Sequence, residues 1–286
     1  EFDHKIPYQA FTTFGLAEPT GKDIAFGSIN TRSSFGLLQA ICVYSWKRLK
    51  LNTVPIIYTT FEPATYWWNI LKNMGVFTVK HTPLVESWDG KPIRHGPHRS
   101  DVVRLTKLIE HGGIYLDSDV IVLRPFFPMM HHSFVMGREK QYGYCNAVML
   151  AEPNFYFCHN WRDAFKHANL EDWNGFSVKL PMEIMPRHDP NINIQPEDSF
   201  FFPSWDELEL IFNRPDVNVG SSYYLDLWRA AAEREGKLEK VSISQILNGT
   251  SLFARVARPI LIDLLQAVTS WHEKEDYDNS QTTGDI

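Results

Sequence analysis

The sequence predicts an α/β protein built on a Rossmann-like, mostly parallel sheet with helices on both faces. Two observations predict it: short β-branched apolar runs alternate with helical segments, and the opening ones follow one another as β-α-β-α-β. No linker or internal repeat divides the 286 residues, so a single domain is expected over residues 1–272, followed by a polar tail at 273–286. Within that domain, residues 24–125 would form the half that holds a ligand, and residues 126–272 the half that receives a second one.

In chain order, a Pro/Thr/Gly-rich lead-in precedes a first strand at 24–29 and a helix at 33–49, where Phe35, Leu38, Ile41, Val43 and Trp46 crowd one side. A buried strand at 54–59, a helix at 64–74 stopped by Gly75 and a strand at 76–79 complete the opening run. Residues 81–97 are rich in Pro, Gly and His and read as a loop. Ser100 is placed to N-cap the next helix, whose stripe is Val102, Leu105 and Ile109 and which Gly112 and Gly113 end. Residues 114–123 read as one continuous central strand interrupted by two carboxylates. A strand at 147–150, a helix at 155–167, a Pro-rich stretch at 182–203 and a last helix at 261–271 follow, and the acidic end lacks periodicity.

Composition excludes several classes. Lys and Arg number 28 against 34 Asp and Glu, a net charge of −6, so no global positive field exists to hold a nucleic acid. The apolar runs fall short of the roughly 18 residues of a membrane span. The three cysteines, Cys42, Cys145 and Cys158, lack CxxC spacing, which argues against zinc; a Cys145–Cys158 bridge and free thiols both remain open. The chain begins Glu1-Phe2-Asp3, without methionine or signal peptide, so the expectation is a trimmed chain whose native N-terminal anchor lies outside it. Asn248-Gly249-Thr250 is an N-glycosylation sequon, consistent with a secretory compartment.

The chemistry concentrates in residues 98–127. Asp101 and Arg104, three apart on one helix, can form an ordinary ion pair or present an acceptor and a forked donor to sugar hydroxyls and phosphate oxygens. On an extended strand Asp117 and Asp119 point to one side across Ser118, so both can address one hard cation, Mg²⁺ or Mn²⁺. Such a cation completes its shell with phosphates and water, which implies a diphosphate ligand. Phe26 and Ser28, at the end of the first strand, occupy the place where this architecture binds a nucleotide. The histidines, including His131 and His132, have no accompanying metal-ligand spacing; His98 alone precedes the helix that carries Asp101.

These residues, His98-Arg99-Ser100-Asp101-Val102-Val103-Arg104, Gly112-Gly113-Ile114-Tyr115-Leu116-Asp117-Ser118-Asp119 and Arg124-Pro125, resemble the DXD-containing sugar-binding region of glycosyltransferase family 32. The resemblance extends more weakly to Asn146–Ala151 and to Trp173, Ser177 and Pro181. It implies a GT-A fold, a nucleotide-sugar donor (a UDP-sugar rather than GDP-mannose), a Mn²⁺ or Mg²⁺ cofactor, a glycan, glycolipid or glycoprotein acceptor, and transfer with retention of configuration in the Golgi lumen. On this resemblance Asp101 and Arg104 hold the donor sugar, Asp117 and Asp119 the metal and diphosphate, Tyr115 the nucleotide, and Asn146, Trp173, Ser177 and Trp228 the acceptor side. The family's His-x-Trp reads Asp226-Leu227-Trp228 here, so Asp226 is the expected third ligand, with His272 the alternative. A degenerate sugar-binding protein and a DxD phosphatase are the competing readings.

Overall fold

The structure is a computed structural model that describes residues 4–17, 35–93, 96–169, 172, 174–238 and 241–282. Strands β1 (Ala10–Thr13), β2 (Ile56–Thr59), β3 (Thr78–His81), β4 (Gly113–Leu116), β6 (Phe134–Glu139), β7 (Gly143–Ala151) and β8 (Ile192–Gln195) form one sheet in the order β8-β6-β7-β4-β1-β2-β3. Parallel pairing joins β4, β1, β2 and β3, and β8 with β6; β7 runs antiparallel to both its neighbours. The mostly parallel α/β sheet expected from the sequence is therefore present, with one reversed strand.

Strand alternation divides the core in two. Ile114 and Leu116 of β4 face one side, where they join Ile41 and Val43 of α1 (Leu37–Ser45), Trp68 and Leu71 of α2 (Tyr66–Asn73), and Leu261 and Leu264 of the C-terminal helix. Tyr115 faces the other, with Val102, Leu105 and Ile109 of α3 (Gly96–His111) and Phe157 and Trp161 of α4 (Tyr156–Asp163). The stripe expected on α3 is thus the stripe that packs.

Four elements depart from the sequence reading. The strand expected at 24–29, with Phe26 and Ser28, lies outside the described residues, and the first described strand in chain order is Ala10–Thr13, within the supposed lead-in and inside the sheet. Helix α3 starts at Gly96, so Ser100 is an interior residue rather than the cap; Pro97 fits the first turn, where a missing N–H is harmless. The continuous strand at 114–123 breaks after Leu116: Asp117 N–H donates a last bond to Ala147 O at 2.8 Å, Val120 N–H donates back to Asp117 O at 3.2 Å, and β5 (Val120–Val122) leaves to pair with β9 (Tyr224–Asp226). Asp and Ser favour that turn and cannot continue a strand buried on both faces. The last helix, α6 (Leu252–Thr282), is much longer than expected and takes in most of the supposed tail; Ser251 Oγ opens it by accepting from Ala254 N–H at 3.2 Å.

The glycine pair between α3 and β4 does more than end a helix. Gly112 and Gly113 have φ of +64° and +108°, and a Cβ would stand 2.7 Å from Ala151 O and 2.5 Å from Gln9 O respectively. Gly113→Ala should therefore lower unfolding free energy by about 2–4 kcal/mol. Gly75→Ala, at φ +70° with nothing within 4 Å of the new Cβ, should cost only about 1 kcal/mol. Urea titrations of the two variants against the parent check the difference.

Candidate functional site

The break after β4 opens a cavity of about 460 Å³. Its walls include Asp101 and Arg104 from α3, Asp117, Ser118 and Asp119 from the turn, Glu139 from β6, Cys145 and Asn146 from β7, and Asp226 and Trp228 from the end of β9.

Arg104 is 5% exposed, and its guanidinium is engaged within the protein. Nη1 donates to Asn146 O at 2.8 Å and Asn146 Oδ1 at 2.9 Å, and Nη2 donates to Ser100 Oγ at 2.8 Å. Asp117 lies 3.1 Å and Asp101 3.7 Å from Nη2, and the guanidinium carbon stands 4.3 Å over the Tyr115 ring. Asn146 Nδ2 in turn donates to Asp101 Oδ1 at 2.8 Å. The pair three apart is thus a real ion pair, buried and part of a larger assembly. Tyr115 sits beneath the cavity wall, 1% exposed, with its hydroxyl donating to Asp117.

The pairing of β5 with β9 delivers a third carboxylate. Asp226 is the Cα partner of Val120, and Leu227 N–H donates to Asp119 O at 3.2 Å. Trp228 then adopts a left-handed φ of +48°, which turns the chain into α5 (Arg229–Arg234). At that turn Trp228 N–H donates to Asp226 Oδ1 at 2.8 Å, and Arg229 N–H to Asp119 Oδ2 at 2.9 Å. The Trp228 indole is anchored by Nε1 to Pro203 O at 2.9 Å.

The carboxylates repel. Burial pushes the Asp117 carboxyl up to about 6, Asp119 and Asp101 push it the same way, and Arg104 opposes them. Asp226 is held well above the usual carboxylate range by burial first and then by Asp119 and Asp117. Among the described residues no group of three or more His, Cys, Asp or Glu side chains is gathered closely enough to hold a metal ion. Asp117, Asp119 and Asp226 line one cavity without gathering at a common point, and they offer the hard oxygen donors that an oxygen-ligated divalent cation takes.

Of the residues singled out in the sequence, Asp101, Arg104, Asp117, Asp119, Asn146, Ser177, Asp226 and Trp228 line this one cavity, as does His98. Phe26, Ser28 and Trp173 lie outside the described residues. His272 is exposed on α6, away from the cavity lining. Asn248 is exposed at the end of a short helix, and all three cysteines are free and buried. Sequence reasoning missed Glu139, Trp205, Arg229 and Arg234, which also line the cavity. Glu139 had one visible sign, a carboxylate closing the apolar run that begins at Phe134.

Residues 41–136 match the family described as a glycosyltransferase sugar-binding region containing a DXD motif. A curated relative, glucan organizing enzyme 1 of Cryptococcus neoformans var. grubii, is 28% identical over 221 residues, which cover 72% of this chain and 59% of that protein. The chain thus spans 59% of the length of this relative. Among solved structures, the glycosyltransferase GlyE of Streptococcus pneumoniae TIGR4 superposes with a TM-score of 0.52 at 13% identity, covering 94% of this chain and 64% of that one. Its apo form gives 0.51 at 12% identity over the same shares. The resemblance read from the motif is borne out, and the fold is the expected GT-A type.

The repulsion has a measurable consequence. A carboxyl whose pKa is raised on folding destabilises the fold as pH rises above its ordinary range, because the unfolded chain releases the proton first. Asp226→Asn removes that cost and keeps an oxygen for Trp228 N–H, so the ligand-free variant should melt higher at pH 7.5 by about 2–4 °C, on the order of 1 kcal/mol. The gain should shrink at pH 5, and differential scanning fluorimetry at the two pH values checks it.

Proposed function

We propose that this chain is a divalent-cation-dependent, retaining glycosyltransferase that moves a hexose from a nucleotide sugar, a UDP-sugar in preference to GDP-mannose, to a carbohydrate-bearing acceptor. The observation that carries this reading is the convergence of Asp117, Asp119 and Asp226 with the Asp101–Arg104 pair in one cavity, within or beside the region that matches the DXD family.

Asp117, Asp119 and Asp226 would hold Mn²⁺ or Mg²⁺, and the cation would supply positive charge to the departing diphosphate. Arg104 fixes Asp117 and Asn146 in place rather than travelling with the substrate, since both its terminal nitrogens already have partners. Asp101 lines the cavity beside Asn146 and is the residue placed to accept from a donor-sugar hydroxyl. The N–H groups at the start of α5 hold Asp119 and Asp226 from behind, so the two carboxylates are positioned before any ligand arrives. Retention follows from the family resemblance, with the acceptor attacking beside the leaving diphosphate.

The acceptor would be a glycan, glycolipid or glycoprotein met in the secretory pathway, in the Golgi lumen. The exposed Asn248 sequon supports that compartment. Among the described residues no helix is long and apolar enough to cross a membrane.

Mn²⁺-dependent hydrolysis of UDP-galactose, UDP-N-acetylglucosamine, UDP-glucose and GDP-mannose tests the reading without a known acceptor. One donor should be turned over, and Asp117→Ala, Asp119→Ala and Asp226→Ala should each reduce the rate by about 10²-fold or more. Nucleotide binding without turnover would identify the degenerate sugar-binding protein instead. Neither turnover nor metal-dependent nucleotide binding would refute both.

A further inference from the structure

One carboxyl in the cavity belongs neither to the cation group nor to the Arg104 assembly. Glu139 closes β6, is 2% exposed, and lines the cavity floor, yet its Oε2 has no hydrogen-bond partner. Trp205 lines the same cavity half-buried, tilted against Tyr142 at 5.4 Å, with its indole N–H near enough to lower the pKa of the Glu139 carboxyl. Ser177 and Asn174 supply further polar groups from the turn that carries Val178.

Position and charge say what this end of the cavity takes. The sheet order is β4-β7-β6, and Glu139 pairs with Gly143, four residues along β7 from the Ala147 that Asp117 reaches, so the two backbones are more than about 10 Å apart. That is beyond the reach of a donor hexose held between Asp101 and the diphosphate. The cation beside Glu139, Lys140, is taken by Asp206 at 2.6 Å and Glu207 at 3.2 Å, and the cavity's other arginines, Arg229 and Arg234, belong to α5, which starts against Asp119. A buried carboxyl without a cation, beside an indole, suits a neutral polyhydroxylated ligand: hydroxyls need paired donors and acceptors, and the apolar face of a sugar packs on an aromatic ring.

We propose that Glu139 and Trp205 form an acceptor-saccharide subsite, in which the Glu139 carboxyl hydrogen-bonds one acceptor hydroxyl and the Trp205 indole packs on the sugar's apolar face. The inference rests on the transferase reading above and names the ligand of its second half. Burial pushes the Glu139 carboxyl up to about 7; Asp206 adds to the rise, and Lys140, the Cys145 thiol and the Trp205 indole lower it. Asp226 and Tyr224, which face the same region, both sense the Glu139 charge. Below pH 7 the group is therefore an acid that both donates and accepts, a pairing that an amide reproduces and an alkyl side chain does not.

The test uses the donor that the wild type hydrolyses with Mn²⁺, together with p-nitrophenyl α- and β-glycosides of glucose, galactose and mannose. Transfer to at least one glycoside is expected. Glu139→Leu and Trp205→Ala should each raise the KM for that glycoside about tenfold or more, with a smaller change in kcat. Glu139→Gln should stay within about threefold of wild type at pH 6.5 and should lose the rise in KM that the wild type shows above pH 7. A purely structural role predicts neither the rescue by glutamine nor the altered pH profile. Donor hydrolysis without transfer to any of these glycosides overturns the subsite while leaving the transferase reading intact. So does a KM within twofold of wild type in Glu139→Leu, or a pH profile in Glu139→Gln that matches the parent. Absence of donor turnover in the wild type overturns both.

Discussion

The buried guanidinium of Arg104 is the constraint on which the site depends. A cation removed from water is stable only if acceptors and counter-charges surround it, and its partners come from three separate elements: Ser100 and Asp101 on its own helix, Asp117 at the end of β4, and both oxygens of Asn146 on β7. Tyr115 closes the assembly from beneath, with its ring under the guanidinium and its hydroxyl on Asp117. Because α3, β4 and β7 also bury their apolar faces against one another, the polar assembly fixes their register and the apolar packing keeps it dry. Removal of the guanidinium would leave two carboxylates and an asparagine facing one another without a counter-charge, a defect that costs about 3–5 kcal/mol in buried pairs.

The assembly is not electrically balanced, and the imbalance points toward ligand binding. Asp119 and Asp226 accept hydrogen bonds from backbone N–H groups at the start of α5. That grip requires Trp228 in a left-handed conformation, which a non-glycine residue adopts at a cost of about 1–2 kcal/mol. Strain and like-charge repulsion at one turn are features that folding alone would not retain. Asp119 and Asp226, held by that turn, would offer oxygen ligands to a cation, whose positive charge would relieve the repulsion.

The spacing of Asp101, Arg104, the two glycines and the DXD pair was legible because each residue performs a local task that its chemistry announces. The glycines stand at positive φ in contact with backbone, and the charges interrupt an apolar run. The opening β-α-β-α-β alternation was legible in kind but not in its first member, since Ala10–Thr13 is too short to show a period and hides behind prolines and threonines. The DXD break was misread because Val120 to Val122 is as apolar as a central strand; it pairs instead with Tyr224–Asp226, a partner about a hundred residues away that no local pattern reveals. Glu139 and Trp205 were invisible for a related reason. Their meaning comes from facing the same cavity, a product of strand order rather than of sequence.

That distant pairing also explains how an aspartate can stand where the sequence resemblance expects a histidine. The Asp226 backbone is placed by its ladder with β5 and by the hydrogen bond from Leu227 to Asp119, so the position is set by main chain and tolerates a change of side chain. A histidine there would bring a neutral nitrogen, whereas the aspartate brings a further negative charge and a shorter reach. The extra charge raises the electrostatic cost of the empty cavity and, by the same amount, the attraction for a hard divalent cation. The shorter reach is met by the turn at Trp228, which folds the start of α5 back over both carboxylates. An aspartate at this position leaves the cavity with oxygen donors from all three acidic side chains, the chemistry that would favour Mg²⁺ and Mn²⁺ over softer metals.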